Sequence, residues 1–103
     1  MLVRAQTSSG GGGAPIKVYT STASEGNTVG GNKTFTFNDF TTIRGVAVCN
    51  KAALYASAVL NDDNTITSFA YSANMYNVVG ISGNQVTVFA NGSYVAWFQI
   101  VGE

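Results

Sequence analysis

Between Pro15 and the C-terminal end, short runs rich in threonine, valine, phenylalanine and tyrosine are broken every few residues by glycine, asparagine, aspartate or serine. No stretch sustains the period of about 3.6 residues that an amphipathic helix needs. These residue types suit a pleated, half-buried surface and the breaks supply turn chemistry, so the chain reads as all-β. Strands are expected near Ile16–Ala23, Lys33–Phe37, Thr41–Asn50, Ala53–Leu60, Thr65–Tyr71, Asn77–Ser82, Gln85–Ala90 and Ser93–Val101. The run "KAALYASAVL" would also tolerate a helix, but the turn-rich "NDDN" behind it favours a strand. Pro15, the one proline, stands at the entrance of the first strand, where its missing N–H does no harm.

Three connections read as tight hairpins: Asn61-Asp62-Asp63-Asn64, Ser82-Gly83-Asn84 and Ala90-Asn91-Gly92-Ser93. Asn-Gly supplies the two positive-φ residues of a type I′ turn, so the C-terminal half is expected to be an antiparallel meander. About eight short strands without helices predict one small antiparallel domain over residues 15–103, a β-sandwich or a jelly-roll-like barrel. Residues 1–14, "MLVRAQTSSGGGGA", are expected to form a glycine-rich N-terminal arm outside it. Consecutive glycines lose too much backbone entropy on ordering to belong in a packed core.

The charge content bears on function. Of 103 residues, 46% are hydrophobic and 10% charged, and five basic side chains cancel five acidic ones. A nucleic-acid partner needs a basic face to replace phosphate counterions, and an anionic membrane needs a basic patch, so neither is expected. No apolar run approaches transmembrane length, and "MLVRAQTSS" lacks the apolar centre of a signal peptide. Cys49 is the only cysteine, which excludes an intrachain disulfide and fits synthesis in a reducing cytoplasm. In "RGVAVCN" it reads as a small buried hydrophobe. The sequons at Asn32 and Asn91 read as turn chemistry.

Catalytic constellations are scarce. Without histidine there is no Ser–His or Cys–His nucleophile pair, and one cysteine with five carboxylates does not make a zinc site. Glu25, Asp39, Asp62 and Asp63 fall in turns, where aspartate serves the local backbone. "NDDN" lacks the spacing of a calcium loop, and "SSGGGG" has neither the following Lys-Ser/Thr nor the preceding strand of a phosphate loop. The chain is therefore expected to be no enzyme and to need no metal or cofactor. Aromatic side chains offer a binding alternative. Tyr71, Asn74, Tyr76 and Asn77 around the loop "YSANMYN", with Trp97, could stack on and hydrogen-bond a surface glycan. Equally, such rings could fill the core or a subunit interface.

The last strand, "SYVAWFQIVG", carries Tyr94, Ala96, Phe98 and Ile100 on one face, and Val95, Trp97, Gln99 and Val101 on the other. "ALYASAVL" likewise places Leu54, Ala56, Ala58 and Leu60 opposite Tyr55, Ser57 and Val59. A strand wet on one side should alternate apolar with polar, and these scarcely do. Another subunit is the natural cover, so a homo-oligomer is expected, with Tyr94, Trp97, Phe98 and Ile100 as interface candidates.

In overall texture the chain resembles small virion structural proteins of tailed bacteriophages. The features that carry the resemblance are the head "MLVRAQTSSGGGGAP", the Ser/Thr/Asn/Val/Ala-rich strands, the lack of histidine and the apolar last strand. The resemblance implies a non-enzymatic decoration, head or collar fibre, or tail-tip protein, made in the host bacterial cytoplasm and resident in the virion. It further implies a trimer of all-β subunits whose N-terminal arm attaches to capsid or tail proteins, with Leu2, Val3, Arg4 and Gln6 as candidate arm contacts. No single motif carries a functional residue across.

Overall fold

The computed structural model describes residues 15–103. The arm and its candidates Leu2, Val3, Arg4 and Gln6 lie outside the described residues. Eight strands form: β1 (Lys17–Thr20), β2 (Gly31–Thr36), β3 (Ile43–Cys49), β4 (Leu54–Leu60), β5 (Ile66–Ala70), β6 (Tyr76–Ser82), β7 (Gln85–Ala90) and β8 (Trp97–Gly102). They make two antiparallel sheets, five strands in the order β1-β8-β3-β4-β5 and three in the order β2-β7-β6. The fold is a β-sandwich.

Each sheet turns one apolar row inward. Val46, Val48, Ala56, Ala58, Phe98 and Ile100 of the larger sheet pack on Phe35, Tyr76, Val78, Val86 and Val88 of the smaller. At the centre the Phe98 ring lies 4.8 Å from that of Phe35 and 4.9 Å from that of Phe37. Phe98 and Ile100 are thus consumed by the chain's own core and are not available as interface residues. Of that strand only Trp97, Gln99 and Val101 face away from the second sheet.

The chain is not a C-terminal meander. After the β4–β5 hairpin it crosses to the smaller sheet for β6 and β7, then crosses back so that β8 inserts between β1 and β3. Asn91-Gly92 is a crossover between sheets: neither residue has a positive φ, so no type I′ turn forms. Gly83 does have one (59°), at the first central position of the β6–β7 hairpin, which a type II′ turn requires. The segment ahead of β8 is held by irregular pairing instead. Thr28 N–H donates to the Tyr94 carbonyl (2.9 Å), Ala96 N–H to the Gly26 carbonyl (2.9 Å), and the Thr28 hydroxyl to the Gly92 carbonyl (2.7 Å). Strand β8 therefore begins at Trp97 rather than at Ser93.

A register shift between Val48 and Cys49 pairs Cys49 with Leu54. Its effect is to turn Leu54 outward and Tyr55 inward, against simple alternation. Tyr55 stacks on Tyr76 at 4.6 Å and meets the Tyr94 ring edge-on at 5.8 Å. One end of the core is closed by this tyrosine cluster.

Candidate assembly surface

The two outer faces of the sandwich differ in kind. On the smaller sheet the outer side is hydroxyl-rich: Thr34 and Thr87 share a hydrogen bond (2.8 Å), and Gln85 Nε2 donates to Thr36 Oγ1 (3.2 Å). Such a face suits water.

On the larger sheet, strand register lines up two outward rows. The first is Val18–Val101–Gly45–Val59–Thr67, and the second is Thr20–Gln99–Ala47–Ser57–Phe69. None of these side chains is charged. Along β3 the exposed Arg44 stands at the start of the strand, and beyond it the outward residues are small (Gly45, Ala47, Cys49), whereas Val46 and Val48 fill the core. Small residues in the middle and larger ones at the margins make a trough. Its open volume is about 540 Å³. Val101 and Val59 lean in over Gly45 from either side, their methyls 3.1 and 3.8 Å from where a Cβ would stand. Val18 (75% exposed), Val59 (52%) and Phe69 (57%) present bare apolar surface along the margins. Here the sequence expectation of uncovered apolar strand faces has its structural counterpart.

The other sequence candidates scatter. Tyr71 is exposed at the start of the β5–β6 loop, and Asn74 is exposed within it. Tyr76, however, is fully buried, so it offers no ring to a ligand and the expected stacking set is not assembled. Asn77 is half-buried, and its Oδ1 has no hydrogen-bond partner. Trp97 is half-buried beneath Lys51, whose Nζ lies 5.9 Å from the ring centre. Tyr94 is half-buried, its hydroxyl donating to Asn91 Oδ1 at 2.7 Å. The ring platform fails because the inward-turned Tyr55 provides a packing partner for Tyr76.

The carboxylates serve local structure. Asp63 accepts from the hydroxyl (2.5 Å) and the amide (3.1 Å) of Thr65, which holds its carboxyl below the usual aspartate range. Glu25 accepts from the hydroxyls of Tyr19 (2.5 Å) and Ser21 (2.7 Å). Arg44 pairs with Glu103 at 3.1 Å. Among the described residues no three of His, Cys, Asp and Glu cluster as metal ligands do.

The Tyr76 hydroxyl is buried without a partner, and its pKa is raised, chiefly by desolvation and then by the nearby Tyr55. Tyr76→Phe removes an unsatisfied polar group, so we expect a gain of about 1 kcal/mol at neutral pH. Above pH ~10 the unfolded chain releases this proton and the folded chain keeps it, so stability falls with rising pH, by up to about 1.4 kcal/mol per unit. Thermal unfolding of both proteins from neutral to strongly alkaline pH checks this. The phenylalanine variant should melt higher throughout and lose less above pH ~10, and equal slopes would refute the assignment.

Comparison with known proteins yields no relative: no family model matches the chain, and no curated protein or solved structure matches it significantly.

Proposed function

We propose that this chain is a non-enzymatic assembly protein: its β-sandwich self-associates, and the glycine-rich arm attaches the body to a different partner. The observation that carries the reading is the outer face of the five-stranded sheet, an uncharged trough with bare valine and phenylalanine margins. Among the described residues no helical layer covers this face, and contiguous exposed apolar surface marks an interaction site. The texture of the sequence supports a virion setting of the tailed-bacteriophage type, with capsid or tail proteins as the arm's partners. In that setting Leu2, Val3, Arg4 and Gln6 make the attachment, and Gly10–Gly13 let it reach clear of the body.

Static light scattering of the full chain over a micromolar concentration series tests self-association. Masses at multiples of 10.7 kDa are expected, and a monomer throughout would overturn the reading. A second outcome concerns the arm. Removing residues 1–13 should leave the thermal midpoint within about 2 °C and leave self-association intact, because the sandwich starts at β1. A large fall in the midpoint would place the arm in the fold.

A further inference from the structure

We infer that Asn91 is a site of self-modification in the folded chain. The Gly92 nitrogen attacks the Asn91 side-chain amide, with the Tyr94 hydroxyl stabilising the oxygen that takes up charge. Ammonia leaves, and water opens the resulting ring to aspartate or isoaspartate. The inference is independent of self-association.

The sequence supplies the first condition. Asn91 is the one asparagine followed by glycine. Without a Cβ, Gly92 leaves its own nitrogen unshielded, where any other residue would crowd the approach to Asn91 Cγ.

The structure supplies three more. Asn91 is exposed, so water and solvent base reach it. The groups flanking the reactive peptide are tied: Asn91 N–H donates to the Met75 carbonyl (2.9 Å), and the Gly92 carbonyl accepts from the Thr28 hydroxyl (2.7 Å). The Gly92 N–H itself, which must lose its proton, has no hydrogen-bond partner among the described residues. Finally, the Tyr94 hydroxyl donates to Asn91 Oδ1 at 2.7 Å. That oxygen gains negative charge when nitrogen adds to Cγ, so a donor for the tetrahedral intermediate is already in place. Packing holds it there. The Tyr94 ring meets Tyr55 (5.8 Å) and Tyr76 (6.0 Å) edge-on, and its Cε2 lies 3.9 Å from where a Gly92 Cβ would stand.

Other exposed asparagines lack this combination. Behind Asn64, the Thr65 N–H is taken by Asp63 Oδ1 (3.1 Å). Asn50 Oδ1 accepts from the Ala52 and Ala53 amides, but the next residue, Lys51, carries a side chain.

The step balances without oxidation or reduction. The Gly92 nitrogen gives its proton to solvent base, and its lone pair forms the bond to Cγ. The Cγ–Nδ2 bond breaks, and Nδ2 takes a proton and leaves as ammonia, closing a cyclic imide. Water then adds to one imide carbonyl. Breaking the Cγ–N bond gives aspartate with the main chain unchanged. Breaking the bond from the Asn91 main-chain carbonyl carbon gives isoaspartate, with the main chain routed through Cβ and Cγ. Either product adds a negative charge to a formally neutral chain. The isoaspartate also lengthens the main chain just ahead of the bonds that Thr28 makes with Gly92 and Tyr94, so it should loosen the crossover.

Ageing of the full chain in warm neutral buffer and in concentrated urea, followed by peptide mapping and isoaspartate assay, tests this. In buffer, conversion should appear at Asn91 ahead of every other asparagine. Tyr94→Phe keeps the ring in the tyrosine cluster and should slow conversion about fivefold, the worth of one hydrogen bond to a barrier. In urea this variant and the parent should convert at equal rates, because the hydroxyl no longer meets the amide. Gly92→Ala has room for its methyl and should slow conversion at least about tenfold in both solvents by shielding the nitrogen. Circular dichroism melting establishes that each variant is folded in the ageing buffer, and Gly92→Ala carries the test if Tyr94→Phe is not.

An Asn91 that keeps its amide in buffer but loses it in urea would overturn the inference, because the fold would then protect the site. Equal rates for the parent and a folded Tyr94→Phe in buffer would overturn the role of the hydroxyl. Conversion unchanged in Gly92→Ala would overturn attack by the Gly92 nitrogen.

Discussion

Phe98→Ala should cost about 4 kcal/mol, most of the stability that a sandwich of this size possesses. The ring is 1% exposed and packs between Phe35 and Phe37 at the point where the two sheets meet. Truncation removes the transfer energy of a buried ring and leaves a cavity bounded by two other aromatic rings and the strands behind them. Those strands cannot collapse into it without breaking register on both sheets. Val101→Ala, three residues further along β8 but on the outer side, should cost less than about 1 kcal/mol in the monomer. Urea unfolding of the two variants separates them. A loss below about 1 kcal/mol for Phe98→Ala would mean that the core is not where the aromatic contacts put it.

The second large effect arises where no side chain is present. A Cβ on Gly102 would overlap the Thr42 carbonyl oxygen, and would lie only 3.0 Å from Ile43 Cα and 3.0 Å from the Phe40 ring. The C-terminal residues are clamped there. Glu103 N–H donates to the Thr42 carbonyl at 2.8 Å, and the amides of Thr41 and Thr42 both donate to the Glu103 carbonyl (2.7 and 3.1 Å). Because the obstacle is mostly backbone, relief requires shifting β8 against β3, and Gly102→Ala should cost about 3 kcal/mol. Gly80→Ala is the control. Nothing lies within 4 Å of its Cβ position, and its φ is not in the left-handed region, so it should be neutral or gain about 0.5 kcal/mol. Equal melting temperatures for the two variants would contradict this account.

These two sites mark the boundary between local and non-local information in the sequence. Strand positions were legible because they depend on local chemistry: valine, threonine and aromatic runs between turn residues placed all eight strands within a few residues. Gly83 was legible as a turn for the same reason. Pairing was not, because it depends on which sheet each strand joins. Asn91-Gly92 has the composition of a hairpin turn, yet Thr28, distant in sequence, takes the backbone partners of this segment and directs it across the sandwich. The position of Gly102 against Thr42 belongs to the same non-local class.

The candidate surface was half legible. That some apolar strand face lacked a cover followed from the unalternating last strands. Which side is uncovered does not follow, because Phe98 and Ile100 are as apolar as any outward residue and nothing local marks Val18 and Phe69 as exposed. A signal was available in "RGVAVC", where Gly45, Ala47 and Cys49 alternate with valines. In a central strand, the small row marks the side on which something else must fit closely. The β-bulge before Cys49 has no such signature, and it is what reversed Leu54 and Tyr55.

The central claim, that association covers the outer face of the five-stranded sheet, is tested most directly by carbene footprinting of the full chain across a dilution series. Val18, Val59, Phe69 and Val101 should label readily in dilute solution and become protected as the concentration rises through the association range. Val29, Val79 and Tyr71, exposed elsewhere on the described chain, should label equally at every concentration. Unchanged labelling of the first group while the mass increases, or protection of the second group instead, would contradict the account.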